Sequence, residues 1–252
     1  MKRLNPDDAL VKITAWLVQI YGPRLQSLLA YGSVAGGNHH GKHSDINLLA
    51  VLDRMDAATL DAAQTPALWW RQQGNPPIVM LSRDEQDAAA DVFPLEYLDI
   101  QANHRLLHGE DFFAAVPRYP EHHRLQVEHD LRAQLLRLRG AYMNVASDAK
   151  KLEALLVESV SAFLTLFRHA LVAVGEPLLV PKDQVLAAAA ARFAFSPAPF
   201  AAILDARRAG ARLEGGKLEA LRGLFANYLA AVQTVERGLE SFDASRDVRS
   251  SV

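Results

Sequence analysis

An α+β protein in two domains is what this sequence predicts: a small mixed-sheet domain over 1–117, an all-α helical bundle over 118–242, and a flexible tail over 243–252. Three observations lead there. The 252 residues, 50% hydrophobic and 22% charged, have the composition of a globular chain and suffice for two cores. Strand-length apolar runs alternate with helical patterns in the first part, whereas from Glu121 onward apolar residues recur at three- and four-residue spacing. Between the two, "FFAAVPRYPEHH" is interrupted by Pro117 and Pro120.

In the first part, Asn5 or Asp7 can cap a helix that runs to about Ile20, where Gly22-Pro23 ends it. Leu25 to Tyr31 reads as a first strand and Asp45 to Leu52 as a second. Asp56 to about Gln73 reads as a helix, and the Gly74-Asn75-Pro76 turn releases a third strand, Pro77 to Leu81. Ser82 can cap a short acidic helix. Phe93 to Ile100 is expected as a fourth strand, with Pro94 at its start, where a missing N–H does least harm. Trp69-Trp70, at the end of a helix, suits the core better than base stacking.

The second part opens with two long amphipathic patterns, "HRLQVEHDLRAQLLRLRGAYMNV" and "DAKKLEALLVESVSAFLTLFRHALVAVG". Leu152, Leu155, Leu156, Phe163, Leu166 and Phe167 form a stripe that reads as bundle core. Pro181 and "FSPAPF" delimit two shorter helices, and Gly215-Gly216 introduces a last long one to about Phe242. Such a bundle also offers a surface for a homodimer.

Composition excludes several classes. Cysteine is absent, so disulfides, thiolate metal sites and cysteine nucleophiles are excluded. With 27 basic and 29 acidic side chains there is no overall field for nucleic acid, which is not favoured as a partner. Asp7, Asp8 and Lys12 break the N-terminal pattern, which lacks the apolar core of a signal peptide. No run approaches the roughly 18 apolar residues that would span a bilayer. A soluble, cytoplasmic protein without membrane partners is expected.

The chemistry concentrates in "AYGSVAGGNHHGKHSDINLLAVL", residues 30–52. A Gly-Ser turn after a strand can bring backbone N–H groups and a hydroxyl against a phosphate, because glycine lets the ligand approach the main chain. Along the following strand, side chains i and i+2 face the same way, so Asp45 and residue 47 stand side by side. Two carboxylates there could bridge two Mg2+ ions about 3.5 to 4 Å apart, the arrangement that supports phosphoryl and nucleotidyl transfer. Residue 47 is asparagine.

Gly32-Ser33, the intervening loop and Ser44-Asp45-Ile46-Asn47-Leu48-Leu49-Ala50-Val51 resemble the signature of the DNA polymerase beta-like nucleotidyltransferase superfamily, Gly-Ser followed after about ten residues by Asp-x-Asp on a strand. The resemblance is closest to the branch of minimal and aminoglycoside nucleotidyltransferases, several of which carry a helical bundle after this domain. It implies an NTP substrate, Mg2+ and an acceptor hydroxyl whose identity the sequence leaves open. Within "PLEYLDI", Glu96 matches the third metal-binding acid. The resemblance thus implies Asp45, Asn47 and Glu96 as catalytic and metal-binding residues, and Gly32, Ser33, Lys42 and Ser44 as nucleotide-binding ones. Strand parity puts Glu96 and Asp99 on opposite faces, which favours one of them, Glu96 by motif position. The site is expected in the cleft between the domains.

Asn47 keeps an oxygen ligand but removes a full charge from a site that holds about four positive charges when two Mg2+ ions are bound. Two readings follow: a nucleotidyltransferase that moves a nucleoside monophosphate to a hydroxyl, or a degenerate nucleotide-binding, regulatory or partner-binding module. His39, His40 and His43 could bind a transition metal, but read better as a solvated loop over the phosphates, with Lys42 or a histidine touching them. Arg124 and His129 have the spacing of helical HEPN ribonucleases, a pattern common by chance. Glu128, Glu153 and Glu158 qualify by type as a general base for an acceptor hydroxyl.

Overall fold

Asn5 starts the first helix, α1 (Pro6–Tyr21), by accepting the Asp8 N–H on its side chain, with Pro6 at the first helical position. The structure, a computed structural model, describes residues 4–32, 46–114 and 116–250, and side chains to 242. The chain divides into two compact units, 1–122 and 123–252. The division falls in the first turn of a helix, a few residues beyond the expected boundary at 117/118.

In the first unit, β1 (Leu25–Tyr31) is followed by β2 (Asn47–Leu52), α2 (Ala57–Ala62), α3 (Gln64–Gln72), β3 (Val79–Ser82), α4 (Arg83–Ala88), α5 (Pro94–Ala102) and β4 (His104–Gly109). The sheet order is β3-β2-β1-β4. β1 is antiparallel to β2 and β4, and β2 is parallel to β3, so the sheet is mixed. Alternation sorts the strand residues between two layers. Leu28, Ala30, Leu48, Ala50 and Leu52 pack with Leu10, Ile13 and Leu17 of α1 and with Trp69 and Trp70 of α3. Leu29, Leu49 and Val51 pack on the opposite face with Tyr97 and Ile100 of α5 and with Phe113. Both tryptophans are buried core residues.

The helix expected over Asp56–Gln73 is two helices meeting at Ala63, the first capped by Asp56. Ser82 and Glu85 form a reciprocal capping box on α4.

The strand expected over Phe93–Ile100 is a helix. Pro94 lies at its first position, where proline's fixed φ suits a helix as well as a strand end, and Leu95, Tyr97 and Ile100 bury against the sheet. So short an apolar run fits either periodicity. The fourth strand instead follows it. β4 is a polar edge strand, "HRLLHG", paired only with β1 among the described strands.

In the second unit, α6 (Pro120–Val145) and α7 (Ala149–Ala173) are followed by α8 (Lys182–Phe193), α9 (Ala198–Ala209) and α10 (Leu218–Ser250). Residues expected to fray from 243 are helical through Ser250. α7 is central, packing against α8, α9 and α10. Leu152, Leu156, Phe163, Leu166 and Phe167 of the expected stripe are buried, and Leu155 is half-buried. Phe200 and Tyr228 pack in a tilted pair with centroids 4.5 Å apart, with Phe167 5.2 Å from Phe200 and Phe163 5.8 Å from Tyr228. Length and hydropathy alone would let α7 cross a membrane, contrary to the expectation that no segment would, and 56% of its most apolar window is buried inside the protein.

Candidate functional site

β1 ends at Tyr31, and Gly32 turns away with φ +86°, a conformation that strains any residue with a side chain. A Cβ at Gly32 would also meet the Asn47 Nδ2 at 2.9 Å. Glycine is favoured by the turn, and the Asn47 amide, the free end of a flexible side chain, lies in the space a Cβ would take. Asn103, just before β4, brackets the same residue. Its backbone carbonyl accepts the Gly32 N–H at 3.3 Å, and its side-chain amide donates to the Gly32 carbonyl at 2.8 Å.

Asn47 and Tyr31 are cross-strand partners. By alternation, Asn47 shares the face of Leu49 and Val51, and Tyr31 that of Leu29, which is the face covered by α5. Asn47 is half-buried there. Glu96 stands exposed in the first turn of α5. Burial, reinforced by the Glu96 charge, raises the Tyr31 hydroxyl pKa above its ordinary value. Gly32 and Asn47 thus meet at the Tyr31 end of the sheet, where the charge of Glu96 on α5 acts on the Tyr31 hydroxyl. Ser33, Lys42, Ser44 and Asp45, like His39, His40 and His43, lie outside the described residues.

The helical state of α5 removes the parity by which Glu96 was favoured over Asp99. On a helix, residues i and i+3 share a face, so both acids can point to the same side. Asp99 is half-buried and Glu96 exposed.

His104 and Asp111 are functional candidates that the sequence reading missed. His104 Nε2 lies 2.8 Å from Asp111 Oδ2 and its Nδ1 lies 2.7 Å from the Ile100 carbonyl. Asp111 Oδ1 also accepts the N–H groups of Phe113 and Ala114 at 3.1 and 3.2 Å. Partial burial works against the Asp111 charge, but the hydrogen bond and charge of His104 and the two N–H donors together hold its carboxyl below the ordinary value. The seven-residue His-to-Asp spacing carries no sequence signature; the turn at Gly109 brings the two together, and a Cβ at Gly109 would sit 2.0 Å from the Gln26 carbonyl oxygen.

In the helical unit, Arg124 and His129 do not form a pair. They are five residues apart, about 140° around a helix. Arg124 is engaged with Glu128 and the Leu239 carbonyl, while the His129 side chain is 77% exposed beside Asp130. Of the three glutamates considered as a base, Glu128 is held by Arg124 at 2.9 Å, and Glu153 by Arg212 and the Leu213 N–H, each at 2.7 Å. Glu158 is exposed and, with Glu153, Lys150 and Arg212, lines an open hollow of about 470 Å³.

Among the described residues, no group of three or more His, Asp or Glu side chains could hold a metal ion. The described oxygen donors offered toward the Gly32 end include the Glu96 carboxylate and the Asn47 amide oxygen, which by type suit a hard cation.

No family model matches the chain, and no curated protein matches it. Its fold does have a solved counterpart. A spectinomycin adenyltransferase, AAD(9), from Enterococcus faecialis, solved with ATP and spectinomycin, superposes with a TM-score of 0.56 over 94% of this chain and 100% of its own. The chain shares the fold of that protein over nearly its whole length, a small mixed-sheet unit followed by helices. Identity is 12%, so the likeness extends to the fold.

Proposed function

We propose that the chain binds a nucleoside triphosphate at the Gly32 turn and transfers its nucleoside monophosphate to a hydroxyl acceptor. What carries this reading is the meeting of a left-handed glycine, Asn47 and the α5 acid Glu96 at one strand end, on a fold shared with an adenyltransferase. The Gly32-Ser33 backbone would grip phosphate oxygens, with Lys42 and Ser44 supplying further donors. Asp45, Glu96 and the Asn47 amide oxygen would hold Mg2+, which when bound neutralises triphosphate charge and polarises the reacting phosphoryl group. Asn47, lying against Gly32, would orient the phosphates. ATP is the first nucleotide to test, because the neighbour was solved with it.

One observation favours a second reading. Replacing a carboxylate by Asn47 weakens cation binding more than phosphate binding, so the chain can hold nucleotide without turning it over and act as a regulatory module. Calorimetry with each NTP, with and without Mg2+, followed by a pyrophosphate-release assay, separates the two. Binding with release supports the transferase, and binding without release the regulatory module. Absence of both leaves only the fold.

A further inference from the structure

The His104–Asp111 pair is an unusual polar group in this fold. His104 is the first residue of β4 and the cross-strand partner of Tyr31, so its ring lies on the α5 face of the sheet. Its side chain is 12% exposed. Each ring nitrogen faces an acceptor: Nδ1 the Ile100 carbonyl at 2.7 Å, Nε2 the Asp111 carboxylate at 2.8 Å. A neutral imidazole has a single N–H and would leave one of these acceptors facing a lone pair. Both contacts are hydrogen bonds only when the ring carries two protons.

The two acceptors belong to different elements. Ile100 lies in the last turn of α5, one turn beyond Glu96, and Asp111 lies in the turn after β4. Asn103, adjacent to His104, holds both the N–H and the carbonyl of Gly32. We propose that His104 is a positioning residue, an imidazolium clasp between Asp111 and the Ile100 carbonyl that holds Asn103 onto Gly32 and so sets the shape of the candidate nucleotide turn. The bearing on nucleotide rests on the function proposed above; the clasp itself does not.

Among the described residues, the charged and titratable groups around His104 are these. Asp111 faces it directly. Tyr31 is its cross-strand neighbour, with Glu96 acting on that hydroxyl, and Asp99 precedes Ile100 on α5. The exposed Arg105–Asp7 ion pair, 2.9 Å, starts from the next residue of β4, which points to the other face. Loss of one ring proton sets a lone pair against an acceptor and loosens the hold on Asn103, leaving its N–H bonds to the Asp99 and Ile100 carbonyls as the remaining tie to α5.

The test uses the whole chain without ligand. Ring-nitrogen NMR of 15N-histidine-labelled protein reads the two His104 nitrogens, and amide exchange reads the protection of the Gly32 N–H, both across the pH range in which imidazoles titrate. Both nitrogens should be protonated while Gly32 is protected. Protection should fall about tenfold, the size of one lost hydrogen bond, as the second proton leaves. Asp111→Ala, which removes one acceptor altogether, should show the fall at every pH, and His104→Arg, which cannot lose its charge, should abolish the pH dependence. Arg105→Ala, which breaks only the neighbouring exposed pair, should leave Gly32 unchanged. A single protonated nitrogen while Gly32 stays protected, protection indifferent to the His104 proton, or equal loss in Arg105→Ala would each overturn the clasp. ATP calorimetry on the wild type and Asp111→Ala completes the experiment. If Gly32 follows the proton but neither protein binds ATP, the clasp stands and the nucleotide reading falls.

Discussion

The helical unit and the Gly32 end of the sheet treat their polar groups in opposite ways. In the helical unit, Tyr228 is buried among Phe163 and Phe200, and its hydroxyl is matched to Ser159 at 3.0 Å. His123 and His169, also buried, meet at 3.0 Å, and Glu153 is satisfied by Arg212 and the Leu213 N–H. At the Gly32 end, Asn47 is half-buried against a glycine in a left-handed turn, and Glu96 stands exposed on α5. A group that maintains a fold is enclosed with its partner, because an unmatched buried polar group costs about 1–3 kcal/mol. A group meant for a ligand stays within solvent's reach beside a backbone that a ligand can approach.

The largest effect should come from the enclosed region. Phe200→Ala removes a fully buried ring from contact with Phe167 and Tyr228. Urea unfolding should show the helical unit destabilised by about 3–5 kcal/mol. A loss below about 1 kcal/mol would mean that the aromatic cluster repacks around the gap.

Gly32→Ala should be smaller in stability and larger in function. The positive φ costs a side chain about 1–2 kcal/mol, and the Asn47 amide must also move from its 2.9 Å approach. ATP binding should drop at least tenfold by calorimetry while thermal unfolding shifts only modestly. Unaltered ATP affinity would remove the turn from the site.

Smaller again is an alkaline effect at Tyr97. Burial, with help from the Asp87 charge, pushes its hydroxyl up to about 12, and that hydroxyl donates to the Gln86 carbonyl at 2.8 Å. The unfolded chain releases this proton near 10.0 while the folded chain keeps it, so Tyr97 costs no stability below that pH. Between the two values the unfolded state binds fewer protons, and stability falls as pH rises. Tyr97→Phe should lose about 1 kcal/mol at neutral pH and flatten that alkaline decline. Equal alkaline slopes in both proteins would assign the decline to other groups.

The smallest effect concerns Leu136 on α6, whose side chain is 64% exposed. Leu136→Ser should alter stability by no more than about 0.5 kcal/mol. A larger loss, accompanied by a change of mass in solution, would indicate that a second copy covers this helix.

The sequence made some parts of this molecule legible and hid others. α1, α7, α8, α9, β1 and the start of α10 follow from caps, proline and glycine stops and long periodic patterns, signals that are local and strong. "FPLEYLDI" was misread because eight residues with an N-terminal proline satisfy either period, and only the covering of Leu29, Leu49 and Val51 selects the helix. β4 was missed because an edge strand can be polar, and its pairing with β1 is decided at long range. The Gly-Ser and Asp-x-Asn spacing pointed to Gly32 and Asn47, whose mutual approach depends on the register of Tyr31 with Asn47. The His104–Asp111 clasp left no trace in spacing, because a β turn and a helix end bring its members together.

If the Gly32 end of the sheet is a nucleotide site weakened by Asn47, the charge at residue 47 should govern ATP binding. Calorimetric titration of ATP with and without Mg2+ into the wild type, Asn47→Asp and Asp45→Ala decides it. One added carboxylate beside a divalent cation, reduced by its own desolvation, should tighten Mg2+-dependent binding in Asn47→Asp by several-fold to about a hundredfold. Asp45→Ala should weaken it. Pyrophosphate release confined to Asn47→Asp would identify the natural protein as a nucleotide holder, and equal release from the wild type as a transferase that works without the second acid. If neither the wild type nor Asn47→Asp binds ATP more tightly than Asp45→Ala, the strand end is not a nucleotide site.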